Sequence, residues 1–501
     1  MPFEPPAVAF SGIAPQIALL VAGLVLLVVD AAAGGRLGRA YLPYAATLGL
    51  AVSIALAVVG WQEVSSEGSR LQLSGMIALD GFAIFVKVSL AVFGLLTVWL
   101  GREYLAHERT EEAEFYGLVL FAVAGMMFMA DAADLIVVFL ALETFSIALY
   151  VLVAFRRRSL ESQESAMKYF LLGSFSSAFF LLGIALTYGA VGGTNLYGGE
   201  VAGGTAGIAE HLRTAPASDA GLLVLATGLL IVGLGFKVAA VPFHSWTPDA
   251  YQGAPSPVTG FMAAGSKLAG FAALLRLLDA TLFPLRWDWR PLVIGVAVAT
   301  MVVGSVLAVV QEDIKRMLAY SSIAHAGFVL TGVIAANDNG ISGSLFYLAT
   351  YGITVVGAFA VVTVVAGREE RRVRLSDYRG LFFDSPLLAG ALTLFLLSLA
   401  GVPLTSGFVG KLVVFGAAIE AGYAWVAVVG VLTSAVAAFF YLRVLVVMYM
   451  QEALEDAPTV RAGALSYGVV ALTAVATIVL GLYWGPLIDI AQKATFFFPS
   501  S

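Results

Sequence analysis

Five ionisable residues stand among apolar neighbours: Glu143 in LIVVFLALETFSIALYVLVAF, Lys237 in GLGFKVAAVPFHSW, Lys267 in PVTGFMAAGSKLAG, His325 in MLAYSSIAHAGFVL and Lys411 in SGFVGKLVVF. A charge near a bilayer centre costs at least ~2.5–3.5 kcal/mol on insertion scales, so such groups face a bundle interior or a wet cavity. A desolvated ammonium can release its proton there, whereas a guanidinium keeps its charge. The chain has seven lysines, and five fall in or at the edge of apolar runs. These residue types suit proton handling rather than bond-making chemistry.

Glu143 is the only carboxylate deep inside an apolar run, ~14 Å along the helix from the start of that run. Its natural partner is a buried lysine on a facing helix, in a structural ion pair or a proton-handling one. His325, with an ordinary imidazole near neutrality, can relay protons or simply pack; His244 leaves the same choice. Asp134 suits a helix start as well as proton uptake.

Two breaks accompany the lysines. Pro242, five residues after Lys237, frees a carbonyl at position 238 and interrupts the helix, and the following HSWTPD can hold water where the backbone lines a cavity. In GVPLTSG, Gly401, Pro403 and Gly407 mark a second break, this time ahead of Lys411. Small residues around Lys267, among them Gly260, Gly265 and Gly270, permit close helix packing. A lysine beside a proline break in each half suggests an internal repeat of broken helices, a plan that transporters use for midplane sites.

The elements that must position these groups follow from composition. Of 501 residues, 60% are hydrophobic and 12% charged, and the mean hydropathy is +0.94, too much apolar surface for a soluble core. Apolar runs fall at roughly 13–30, 43–61, 76–100, 115–131, 134–154, 168–189, 221–243, 256–279, 292–311, 317–336, 342–366, 387–416, 419–447 and 467–488. The expectation is an all-α polytopic membrane protein of about 14 spans, with inverted-repeat units containing broken helices 7 and 12. It divides into a three-helix segment (1–114), repeats at 115–290 (helices 4–8) and 291–447 (helices 9–13), and a last helix with its tail (448–501).

Odd-numbered loops hold fifteen Lys and Arg, among them Arg156, Arg157, Arg158, Lys315, Arg316, Arg368, Arg371 and Arg372. Even-numbered loops hold Arg70, Arg213, Arg286 and Arg290. That asymmetry places odd loops in the cytoplasm and both termini outside. The opening MPFEPPAVAF lacks the basic region of a secretory signal, so the first run reads as a retained helix. Segment 190–220 reads as a loose external connection. Segment 367–385 reads as a solvated charge run or a contact with a neighbouring subunit.

Cysteine is absent, which excludes disulfides and thiolate-held metals or clusters in this chain. The four histidines form no metal motif, and no P-loop or dinucleotide fingerprint opens a βαβ unit.

The phrase FHSWTPDAYQGAPSPVTGF, with Glu143 and the lysines above, resembles the antiporter-like membrane subunits of proton-pumping NADH:quinone oxidoreductase, respiratory complex I. Among these it is most similar to the N type of bacterial complexes, the counterpart of mitochondrial NADH dehydrogenase subunit two. Lys411, where the M type usually has glutamate, leaves the N and L types, and the short tail after the last run favours N over the L type, which continues into a long lateral helix.

The resemblance implies a proton relay of Glu143, Lys237, Lys267, His325 and Lys411, with Glu143 pairing with Lys237. It implies a translocase subunit that does not itself carry electrons. No cofactor is expected in this chain; NADH, FMN, iron–sulfur clusters and quinone are expected only in partner subunits. Implied partners are the M-type subunit on one side, small K- and J-type subunits on the other, and lipids, with no nucleic acid. The implied location is the bacterial cytoplasmic (inner) membrane. Competing readings are a subunit of a cation/proton antiporter complex or membrane-bound hydrogenase, a free-standing solute transporter, and a structural scaffold.

Overall fold

Long apolar stretches without polar interruption close their backbone bonds internally, and helices result. The computed structural model describes residues 10–34, 38–108, 112–199, 202, 204, 206–214, 220–453 and 463–497. The two ends of the chain, expected outside the membrane, lie outside the described residues.

In chain order the elements are α1 (Ala14–Ala33), α2 (Leu42–Glu67), a hairpin of β1 (Arg70–Gln72) and β2 (Ile77–Leu79), α3 (Gly81–Glu108), α4 (Ala113–Asp131), α5 (Leu135–Val153) and α6 (Leu160–Val191). Then come α7 (Ile208–Thr214), α8 (Ala220–Lys237), α9 (Trp246–Gly253) and a helical rod made of α10 (Ser256–Phe261), a π turn (Met262–Ser266), α11 (Lys267–Leu275) and a second π turn (Arg276–Thr281). The remainder is α12 (Arg286–Val309), α13 (Ile314–Ala335), α14 (Asp338–Ala366), α15 (Leu381–Asp384), α16 (Pro386–Ala400), α17 (Ser406–Glu420), α18 (Ala424–Met450), α19 (Ala464–Leu482) and α20 (Gly485–Lys493).

Among the described residues, 12 helices are long and apolar enough to cross a membrane. The protein is an all-α, multi-span membrane protein. The rod of α10 and α11 is wholly enclosed, and α13 and α14 nearly so, whereas α1, α6, α12, α18 and α19 turn exposed apolar residues such as Leu24, Phe175, Val306, Leu432 and Val475 outward. Several starts are fixed by side-chain caps, with Asp134, Asp313 and Asn337 accepting from the N–H groups of Ile136, Arg316 and Gly340. Asp134 thus takes the helix-start role, and its carboxylate also accepts from Thr194 Oγ1 at 2.9 Å.

The seventh and twelfth apolar runs are each interrupted. Helix α8 stops at Lys237 and turns lead into α9; α16 stops at Ala400 and α17 resumes at Ser406. Each interruption holds a non-glycine residue in the left-handed region, Ala239 at φ +63° and Leu404 at φ +72°. Such residues cost of order 1–2 kcal/mol each and persist only where the surroundings impose them.

Two ion pairs buried between the helices pin the bundle, besides that of Lys315 with Glu370, and they correct the expectation that Glu143 is the only deep carboxylate. Lys87 reaches Asp131 at 2.5 Å, with side chains 1% and 0% exposed, while Gln16 Nε2 donates to the same oxygen at 2.6 Å. Arg276 grips Asp80 through two bonds of 2.7 and 3.0 Å and is also held by Tyr197 and the Ala130 carbonyl. Asp131 lies at the last turn of α4 and Asp80 just before α3, so each stands near the edge of its apolar run rather than in the middle.

The described part of 190–220 is also tighter than expected. Asn195 Nδ2 donates to Gly75 O at 2.8 Å, its Oδ1 accepts from the N–H groups of Tyr197 and Gly198, and Tyr197 is fully buried.

The 367–385 segment is folded rather than wholly solvated. Leu375 N donates to Glu312 O at 2.7 Å and Ile314 N to Val373 O at 2.8 Å. Lys315, expected as a loop charge, is fully buried, donating to Glu370 at 2.6 Å and to Ala254 O at 2.6 Å. Glu370 also accepts from Ser256 N at 2.6 Å and lies 3.6 Å from Arg156. Burial pushes its carboxyl upward, but Lys315 and Arg156 outweigh that and hold it below the usual glutamate range.

Candidate functional site

Lys237 is the last residue of α8, and its side chain crosses to α5. The ammonium donates to Ser146 Oγ at 2.5 Å and lies 5.0, 5.5, 5.7 and 5.9 Å from the ring centroids of Phe145, Tyr169, Tyr150 and Phe236. Four ring faces and one hydroxyl therefore replace its water shell. Gly270 lets α11 approach: a Cβ there would sit 2.9 Å from Val238 and 3.4 Å from Lys237 Cβ.

The aromatic box continues across the broken segment. Trp246 stacks on Tyr169 at 4.5 Å and donates its indole N–H to Phe236 O at 2.9 Å, satisfying a carbonyl beside the break. Tyr251 meets the edge of Trp246, and its hydroxyl lies 3.5 Å from Ser322 Oγ.

Lys267 opens α11 directly after the π turn, is 2% exposed, and donates to the backbone carbonyl of Ser322 on α13. A π turn widens the backbone spiral, and such turns recur at functional positions. The Tyr351 ring stands between this lysine and the histidine, 5.9 Å from the Lys267 ammonium and 4.9 Å from the His325 ring.

His325 is buried on α13. Its Nδ1 shares a 2.7 Å hydrogen bond with Tyr347 OH, and its Nε2 a 3.4 Å contact with Tyr441 OH, which is itself bonded to Ser321. A cavity of about 10 Å³ lies between His325, Tyr351, Thr354 and Ser398, reaching Gly407 at the second break. That is at the threshold, ~10–15 Å³, for one water.

Lys411 follows its break in sequence but reaches back across it. Its ammonium takes the carbonyls of Leu399 and Ala400 at 3.0 and 2.9 Å and lies 4.8 Å from the Phe328 ring centroid. These carbonyls end α16, where the helix dipole favours a cation. Lys237 and Lys411 lie on opposite sides of their prolines in sequence; Lys411 binds the carbonyls that end a helix, whereas Lys237 itself ends α8 and reaches across to α5. Gly401, at φ +88°, makes room, since a Cβ there would lie 3.1 Å from Lys411 Cδ and 3.2 Å from its Nζ.

Glu143 stands apart. It is half-buried on the seam of α5 and α6, accepts from Ser177 Oγ, and forms no ion pair within 4.0 Å of Lys237. Exposed Leu140 and Ile147 flank it on α5, so this carboxylate sits at the outer wall.

Four of the five residues singled out from sequence thus form one interior line, and Glu143 lies off it, at the outer wall beside Ser177. None of the three lysines has a carboxylate within 4.0 Å among the described residues. Their partners are hydroxyls, ring faces and carbonyls, so neutralising a lysine strands no buried anion. Sequence reasoning missed Ser146, Ser177, Tyr169, Trp246, Tyr347 and Tyr441, whose types are common in apolar helices. Among the described residues no cluster of three or more His, Asp or Glu could hold a metal.

A family profile described as NADH:quinone oxidoreductase/Mrp antiporter, TM, matches residues 132–437. NADH-quinone oxidoreductase subunit N of a Parafrankia strain is 43% identical over 98% of this chain and 95% of its own. A chain of respiratory complex I from Thermus thermophilus, solved with bound aureothin, is 34% identical with a TM-score of 0.79, covering 95% of this chain and 100% of that one. A chain of the Mrp complex from a Dietzia strain shares the fold, with a TM-score of 0.81 at 23% identity over 96% of both chains.

Proposed function

The chain belongs to the subunit N family of NADH-quinone oxidoreductase, and from that premise we propose that it moves protons along its interior line of lysines and histidine. It is an antiporter-like membrane subunit of an oxidoreductase translocase, and its partners include other membrane subunits of that complex. In this reading NADH, FMN, iron–sulfur clusters and quinone belong to partner subunits. An M-type subunit adjoins one side and small K- and J-type subunits the other. The broken pairs α8–α9 and α16–α17 complete fourteen crossings, with repeats at 115–290 and 291–447 and both termini outside a bacterial inner membrane.

The observation that carries the reading is the set of partners around Lys237, Lys267 and Lys411: neutral groups only, each within reach of a break or a π turn. Glu143, when ionised, favours the protonated form of Lys237 through its field. Loss of that field, set by a neighbouring subunit at the outer wall, releases the proton toward Lys267. The Tyr351–His325–Tyr347 cluster passes it toward Lys411, and hydration at the two breaks gives access to the two sides.

The test uses the assembled complex in sealed vesicles, following proton uptake and quinone reduction together. Lys267→Ala, in a complex that assembles and still passes electrons from its donor to an artificial acceptor, is expected to lose pumping and coupled turnover. Protons moved per quinone at the wild-type ratio would reject the relay. Exchange of another cation for protons is supported by fold likeness alone, and pumping that needs sodium would favour it.

A further inference from the structure

Outside this line, a large cavity lies at the ends of α3, α5 and α14, on the side that the excess of Lys and Arg assigns to the cytoplasm. It measures about 850 Å³, and five arginines, Arg156, Arg157, Arg158, Arg368 and Arg371, face three glutamates, Glu108, Glu112 and Glu369. Arg157 is paired with Glu112 and Arg371 with Glu369, while Arg156 donates to the Glu369 carbonyl. Arg158 and Arg368 are exposed and make no hydrogen bond or ion pair among the described residues. Two guanidiniums are thus left to present their paired N–H groups to an anion.

Beside this cavity runs a second one of about 420 Å³, and the two share Phe155 and Arg157. Its walls are mostly apolar, with Leu27 of α1, Leu118 and Phe121 of α4, and Val151 and Ala154 of α5; Glu114 and Gln163 also line it, beside the shared Arg157. A cationic chamber continuous with an apolar groove on the outside of a membrane helix bundle matches one kind of molecule, anionic at one end and hydrocarbon at the other.

We propose that the two cavities form one binding site for an anionic phospholipid, its phosphate held by Arg158 and Arg368 and one acyl chain laid along the groove past Phe121 and Val151. A free anion would leave the groove idle, and a neutral lipid would leave the two arginines unpaired. Anionic lipids concentrate in the cytoplasmic leaflet, and each basic residue near that surface strengthens binding about five-fold.

The test is retention of phosphatidylglycerol by the purified, intact complex after exchange into detergent, read by native mass spectrometry against phosphatidylcholine. The R158Q/R368Q double variant removes two exposed side chains that make no hydrogen bond or ion pair among the described residues, and is expected to weaken phosphatidylglycerol binding on the order of 25-fold, with phosphatidylcholine unchanged. V151W, filling the groove, is expected to lower phospholipid retention with both arginines in place. Equal retention of the two lipids by the wild type overturns the proposal. So does undiminished phosphatidylglycerol in R158Q/R368Q, the result expected if a neighbouring subunit fills the chamber. Displacement by glycerol phosphate at the concentration at which phosphatidylglycerol saturates would also refute it, leaving a free-anion site.

Discussion

Two buried lysines with opposite surroundings make the sharpest comparison: Lys237→Met and Lys87→Met, made separately. Methionine keeps the length and apolar stem and deletes the ammonium. At Lys237 the substitution removes four ring contacts of ~0.5–2 kcal/mol each and one charged hydrogen bond of ~1.5–3 kcal/mol. It also removes the several kcal/mol that burying the ion costs, so the net change should stay within ~2 kcal/mol of zero. At Lys87 the same change strands Asp131, fully buried with only Gln16 left to donate, and should cost ~3–5 kcal/mol. The assay is thermal unfolding of the purified complex in mild detergent, followed by pumping per quinone in vesicles. Lys237→Met is expected to be near wild type in stability and to pump poorly. Lys87→Met is expected to melt early, and the double change K87M/D131N to recover most of the loss. If Lys237→Met melts as early as Lys87→Met, a buried carboxylate depends on Lys237 and the neutral-partner argument fails.

Gly401→Ala should cost about 1–2 kcal/mol for its left-handed backbone and push the Lys411 ammonium off its two carbonyls, lowering coupled turnover several-fold. Gly390→Ala, inside the helix that Gly401 terminates and with open space at its Cβ, should leave turnover unchanged; equal effects would mean that the loss does not come from crowding at Lys411. Glu370 is held below the usual glutamate range, so its contribution to stability is complete above that range and disappears as pH falls through its own lower value. Melting temperature between roughly pH 3 and pH 7 should therefore drop at the acid end for the wild type, and Glu370→Gln should be less stable near neutrality and flatter across the range. An unchanged pH profile in the variant would remove Glu370 from the list of groups that set acid stability.

The helices were legible because lipid-length apolar runs admit few other folds, and Pro242 and Gly401 mark where two of them stop. The depth of Lys237, Lys267 and Lys411 was legible for the same reason. Their partners were not. Ser146 stands 91 positions from Lys237 and the carbonyl of Ser322 55 from Lys267; Ser146 also bonds the Leu142 carbonyl of its own helix, as any helical serine can, so nothing local announces that it receives an ammonium as well. Asp131 and Asp80 escaped notice because each sits at a helix end, where a carboxylate looks solvated, although the arginine gripping Asp80 is 196 positions away. Lys315 misled in the opposite sense, a charge that marks topology in sequence and is buried against Glu370 in the fold. The half-exposure of Glu143 depends on which face of α5 meets α6, and an almost uniformly apolar helix does not reveal that.

The ammonium of Lys411 rests on the main chain of Leu399 and Ala400. No codon change can delete a carbonyl, so drift at 399 and 400 can exchange one apolar side chain for another without altering what the lysine meets. Selection there acts on where the helix stops, not on which residues stop it. The position is insulated from most point mutations yet sensitive to a single inserted or deleted residue between 400 and 411, which would carry the ammonium past its carbonyls. Comparing lineages, gap-free spacing across this segment should be kept more faithfully than the letters within it.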